Sequence, residues 1–191
     1  MNYEQLIIKW HNKAQNEDDD FSRFVFEYLS FIAQVKTKFF PSTEMDRNAI
    51  QKLKQSQTLK TIYLQDIQQN PHLRNNWEKI QEELTEKPLT NETGKSSEIK
   101  WWNCKYDQLD NQTEEDTRKQ KGTIHSLDDW ENMVEFWYSV RNNLFHAYKD
   151  PEDDRDQFLV KYGYLTLSKL MNIILNGEFS YSETGTKNRI I

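Results

Sequence analysis

The sequence predicts an all-α helical bundle. Apolar residues recur at three- and four-residue steps through several long stretches, and no segment shows the period-two alternation of a half-buried strand. The chain has only five Gly and four Pro in 191 residues, too few for a turn-rich sandwich. Apolar residues make up 36% and charged residues 29%, the balance of long helices with solvated faces. Aromatics at 13% separate it from disordered chains. The length suits one domain, spanning 1–191, with a sizeable core. No internal repeat is visible.

A short amphipathic segment from Tyr3 to Lys13 comes first. The stretch DDDFSRFVFEYLSFIAQVKTKFF follows as a strong amphipathic helix. Phe21, Phe24, Val25, Tyr28, Phe31, Ile32, Val35 and Phe39 fall at helical spacing, Asp18 to Asp20 supply its cap, and Pro41 ends it. From Ser42, a candidate cap, to Leu64 the pattern is helical but weakly apolar. Pro71 opens a further helix, His72 to Leu84, with Leu73, Trp77, Ile80 and Leu84 on one stripe, and Pro88 closes it. Residues 88–125 then read as an irregular insertion of polar loops, docked through Trp101, Trp102, Tyr106 and Leu109. Ser126 is the expected N-cap of the clearest helix, which runs to Tyr148, with Asp129 three residues on. The last helix starts in the acidic run Asp150 to Asp154 and stops at Gly177, leaving 178–191 as a flexible tail.

Composition narrows the function classes. A single cysteine, Cys104, excludes an internal disulfide and a multi-cysteine zinc site. The amino-terminal residues carry no apolar run of signal-peptide length and no segment approaches a membrane span, so a cytoplasmic protein without membrane contact is expected. The net charge of −6 argues against a general nucleic-acid coat. Six basic residues between Lys36 and Lys60 face only Glu44 and Asp46, leaving room for a local basic face. His11, His72 and His125 stand apart from one another and from Cys104. Acidic residues gather in DPEDDRD, but a helix's first turn ordinarily collects them. No metal site or cofactor is expected.

One residue breaks the pattern of the 126–148 helix. Arg141 falls inside its apolar arc, one turn after Trp137 and one turn before Leu144. A guanidinium there is costly unless it is paired or reaches water at a rim. On an ideal helix His146 lies roughly 140° around from it, on the side of Asn142, and Tyr148 returns to the arginine's face. Arg141 and His146 are therefore no ordinary same-face pair, and two copies facing each other across a groove would be a natural way to bring them together. In isolation the pair also fits a structural arginine bonded to a carboxylate and a histidine complementing the helix dipole.

The string WYSVRNNLFHAY, placed before a final apolar helix, resembles the HEPN superfamily, named for occurrence in higher eukaryotes and prokaryotes. The family pattern of Arg, a polar residue and a following His stands here as Arg141, Asn142 and His146. With Tyr148 it reads R-x-x-x-x-H-x-Y, similar to HEPN toxins paired with minimal nucleotidyltransferase antitoxins and to abortive-infection proteins. The resemblance covers chiefly 126–175, with a vaguer match at the Phe21 helix and none over 88–125.

The resemblance implies a bundle of four to six helices acting as a homodimeric, metal-independent endoribonuclease, a toxin or phage-defence effector. RNA would be cleaved by attack of a ribose 2′-OH on the adjacent phosphodiester, leaving a cyclic phosphate and a 5′-OH. In that role His146 exchanges the proton and Arg141 stabilises the phosphoryl charge. Asn142 orients the phosphate or the histidine. Tyr148 positions substrate or receives a nucleotidyl group from an antitoxin of the nucleotidyltransferase type. The competing expectation is a non-catalytic HEPN-like module that binds a partner protein or nucleotide, with Arg141 in an intrachain salt bridge and His146 turned to solvent.

Overall fold

The computed structural model describes residues 2–41, 45–89, 122–146 and 149–177. Trp101, Trp102, Cys104, Tyr106, Leu109, Tyr148 and the 178–191 tail lie outside the described residues. All regular structure among the described residues is helical, as the apolar spacing required.

Helix α1 (Tyr3–Asn16) starts behind Asn2, whose side-chain oxygen accepts from the Glu4 and Gln5 amides. Helix α2 (Asp20–Gln34) is capped by Asp19, which accepts from Ser22 at 2.8 Å. It continues as a π-helical turn (Val35–Phe39), reaching the expected end before Pro41. The weakly apolar stretch that follows splits into two helices, α3 (Asp46–Lys54) and α4 (Gln57–Gln69). The break falls where Ser56 caps α4 by accepting from the Leu59 amide. Ser42 lies outside the described residues, and α3 begins only after Met45. Helix α5 (Pro71–Glu86) has Pro at its first position and Asn70 as cap, the arrangement a prolyl ring favours.

Helix α6 (Trp130–Phe145) is capped at Asp129, three residues later than the cap predicted at Ser126. Asp129 explains the delay. Its carboxylate turns back to accept from the His125 amide and sideways to Asn132, so it organises the approach loop instead of completing a capping box. Helix α7 (Asp154–Asn176) starts behind Asp153, which accepts from Asp156, and stops at Gly177 as expected.

Helix α6 is the central element. Every residue from Trp130 to Val140 is buried except Glu131, polar Asn132, Glu135 and Ser139 among them. A helix covered on nearly all sides must satisfy its polar groups internally. α2 packs on α1 and α7, α5 packs on α7, and α3 packs on α6. Phe31, Tyr63, Trp77, Trp130 and Trp137 meet there mostly edge to face. Their polar handles are matched. Trp77 donates to the Tyr63 hydroxyl, which donates to the Thr166 carbonyl, and Trp137 donates to the Thr166 hydroxyl.

Two glycines are required by close approach. Gly122 has φ +82°, and a Cβ there would lie 2.1 Å from the Leu89 carbonyl oxygen. Its own carbonyl accepts from the Leu89 amide at 2.9 Å, so the two ends of the insertion are tied together at the core. On α7, a Cβ at Gly163 would come within 3.0 Å of the fully buried Phe24 ring. Gly163→Ala gains helix propensity but overpacks this contact, and is expected to lower stability by about 1 kcal/mol net. A thermal melt showing an unchanged or higher midpoint would mean that α2 yields freely.

Candidate functional site

Near the end of α6 the chain turns from core to surface. Val140 and Asn143 are buried, Leu144 is half-buried, and Phe145 is 51% exposed. Arg141 sits at that rim with 28% of its side chain exposed, so its charge reaches water as its place in the apolar arc demanded. Its head is held from several directions. Nη1 donates to the Asn142 side-chain oxygen at 2.9 Å, and Nη2 lies 3.5 Å from the Asp46 carboxylate. The guanidinium faces the Tyr28 ring at 5.6 Å and the Phe145 ring at 4.8 Å. Nε of Arg141 and the Tyr28 hydroxyl are both buried without a hydrogen-bond partner. Burial pushes the Tyr28 hydroxyl pKa well up, with Arg141 pulling the other way.

Asp46, at the first turn of α3, is shared. Its other oxygen accepts from Lys36 at 3.1 Å, so one partly exposed carboxylate stands between two cations. The neighbouring Arg47 turns inward and pairs with Glu135 at 2.7 Å, beside the buried Lys54 on the same carboxylate. The basic excess between Lys36 and Lys60 is thus partly structural. Lys54 and Arg47 neutralise a buried glutamate, while Lys36 and Arg141 reach the surface.

His146 does not belong to the helix. It is the C-cap residue, exposed, with φ −93° and ψ 12°, and its amide donates to the Asn142 carbonyl. The helical-wheel angle between Arg141 and His146 therefore no longer applies, because the chain leaves the helix at Phe145. Asn142 is buried and joins the two ends of the motif, with its side chain on Arg141 and its carbonyl on the His146 amide. Tyr148 lies outside the described residues.

The acidic run after the motif is absorbed by local structure. Asp153 caps α7, and Asp156 accepts from the Asp150 amide and from Lys149. Among the described residues, no group of three His, Cys, Asp or Glu is placed to hold a metal ion. No helix among the described residues is long and apolar enough to cross a membrane.

A second polar cluster escaped the reading of single histidines. His11 on α1 is 5% exposed, and its Nδ1 lies 2.8 Å from the carboxylate of Glu27 on α2, which is fully buried. Sequence separation hid the pairing. Yet Glu27 sits three residues after Phe24 and four before Phe31, a charge inside an apolar stripe, the same signal that exposed Arg141.

This pair couples stability to pH. Burial raises the Glu27 pKa, against the pull of His11. Burial would lower that of His11, but the hydrogen bond and charge of Glu27, with Asn172, outweigh it and leave it raised. Both shifts mean that the folded chain binds more protons than the unfolded chain, so stability falls as pH rises. The Glu27 part is lost from its ordinary value of 4.5 upward. The His11 part is fully present below 6.5 and lost as pH rises through the higher folded value. The melting temperature is expected to fall between pH 6 and pH 8, and less steeply in Glu27→Gln. An equal slope in the variant would remove this pair as the cause. No protein-family model, no curated protein and no solved structure matches the chain.

Proposed function

We propose that the chain is a HEPN-type endoribonuclease, a toxin or phage-defence effector, that cleaves RNA at a site built from Arg141 and His146 of two copies. The observation that carries this reading is the setting of Arg141: a guanidinium brought from a central helix to the surface and oriented by Asn142, with an unused buried N–H. Asn142 also holds the His146 backbone, so both polar ends of the motif are positioned by one buried side chain and its carbonyl.

Arg141 would bind the phosphodiester and stabilise the charge that grows on its non-bridging oxygens. Lys36, on the far side of Asp46, would add charge for the backbone. His146, exposed at the helix end, would take the 2′-OH proton or deliver one to the departing 5′-oxygen. Phe145 and Met45, at 51% and 62% exposed, supply apolar surface for a second copy beside Arg141 and Asp46.

The Arg141–Asp46 pair and the exposure of His146 favour a second reading, a non-catalytic module that binds a partner protein or nucleotide. The purified chain incubated with assorted RNAs in EDTA separates the two. Metal-free cleavage lost in His146→Ala and in Arg141→Ala supports the ribonuclease, whereas variants that cleave as well as the parent overturn the site. A parent that cleaves nothing as a stable dimer leaves the binding module as the better reading.

A further inference from the structure

On the face formed by α1 and α7, a cleft of about 310 Å³ opens above the His11–Glu27 pair. Its polar lining is made of carboxamides, from Asn12 and Gln15 on α1 and Asn172 and Asn176 on α7. Ile8 and Leu175 supply apolar walls, and His11 is the one ionisable side chain in the lining. Such a lining suits an uncharged, planar ligand with a hydrogen-bonding edge better than an anion.

The floor of the cleft is poised for exchange. Nδ1 of His11 is committed to Glu27, which leaves Nε2 facing outward. Two groups compete for Nε2: the Gln15 amide nitrogen at 2.9 Å and the Asn172 amide oxygen at 3.3 Å. Asn172 cannot turn over without losing the bond from its nitrogen to the Ser168 carbonyl at 2.8 Å. Protonated His11 donates from Nε2 to the Asn172 oxygen; once the ring is neutral, above its raised pKa, Nε2 and that oxygen are two neighbouring acceptors, and only a donor satisfies them. The exposed Gln15 side chain now supplies it, through the –NH2 of a planar O=C–NH2 group.

We propose that this cleft binds a nucleobase with an N=C–NH2 edge, adenine or cytosine, whose exocyclic amine displaces the Gln15 amide from His11. That edge has the shape and donor position of the carboxamide it replaces. Asn12 and Asn176 at the mouth provide donors for the adjacent ring nitrogen, and Ile8 and Leu175 flank the ring. Uracil presents a carbonyl at the corresponding position and is rejected, because it would face two acceptors. The proposal does not rest on the ribonuclease reading, since a nucleoside has no phosphate for Arg141 and the cleft contains neither motif residue.

Titration of the full chain with adenosine, cytidine and uridine, followed by the His11 ring-nitrogen resonances at pH 8, tests this. Saturable shifts are expected with adenosine or cytidine at millimolar concentration, and none with uridine. Gln15→Ala removes the internal competitor from an exposed position and is expected to tighten binding about 2–10-fold, the worth of one hydrogen bond. Asn176→Ala is expected to weaken it by a similar factor. Absence of a saturable shift in both the parent and Gln15→Ala, or equal shifts with uridine, overturns the proposal. RNA cleavage in the same preparation is read separately, so either idea can fail alone.

Discussion

Glu135→Ala is expected to destabilise the chain by about 3–5 kcal/mol, because it leaves a buried cation without its counter-charge. Glu135 is fully buried on α6 and binds two cations from α3, Arg47 at 2.7 and 2.8 Å and Lys54, itself 4% exposed. Burial pushes the Lys54 pKa below its ordinary value, while the charge and hydrogen bond of Glu135 pull it back. Removing the carboxylate strips the buried ammonium of that support. For a chain of this length the loss corresponds to a fall in melting temperature of roughly 6–20 °C. A paired replacement, Glu135→Leu with Lys54→Met, is expected to recover part of it, because the two most buried charges leave together while Arg47, 17% exposed, keeps access to water. Calorimetric melts of the three proteins check both statements. A Glu135→Ala midpoint within a degree of the parent would mean that water reaches the cluster.

Arg141→Ala and His146→Ala are each expected to reduce RNA cleavage by at least about 100-fold, the usual scale for one general acid–base or charge-stabilising group. The two should differ in stability. His146 is exposed past the helix end, so its removal is expected to cost no more than about 0.5 kcal/mol. Arg141 covers Tyr28 and Phe145 and binds Asn142 and Asp46, so its removal is expected to cost about 1–2 kcal/mol. Activity must therefore be compared at a temperature where both variants remain folded by circular dichroism. Arg141→Lys adds a further check. Lysine keeps the charge but not the planar head that Asn142 and the two rings hold, so it is expected to restore little cleavage. Full activity in Arg141→Lys would reduce the residue's role to a point charge.

Much of this was legible along the chain because helices announce themselves locally. The stripes of α2, α5 and α7, the stops near Pro41, Pro88 and Gly177, and the cap at Asp19 all follow from neighbours within four residues. The failures share one cause. Ser126 looked like a cap because a capping box is local, whereas Asp129 is held by the loop that precedes it. The 42–64 stretch looked like one weak helix because α3 and α4 each gain burial from distant partners. Leu53 accepts from Trp130 through its carbonyl, and Tyr63 closes on Thr166.

The candidate sites divide along the same line. Arg141 stood out by itself, since a charge in an apolar arc is a contradiction that the sequence displays. Its partners did not, because Asp46 lies 95 residues away and Tyr28 still further. His11 looked solitary, and Glu27, though it interrupts an apolar stripe, had no visible partner until α1, α2 and α7 packed around them. By itself, then, the sequence determined that the chain is helical, where most helices end, and which charge sits against the pattern. Only the tertiary structure decided which charges meet, because burial makes an unpaired charge costly and the partner that offsets it comes from wherever the packing brings one.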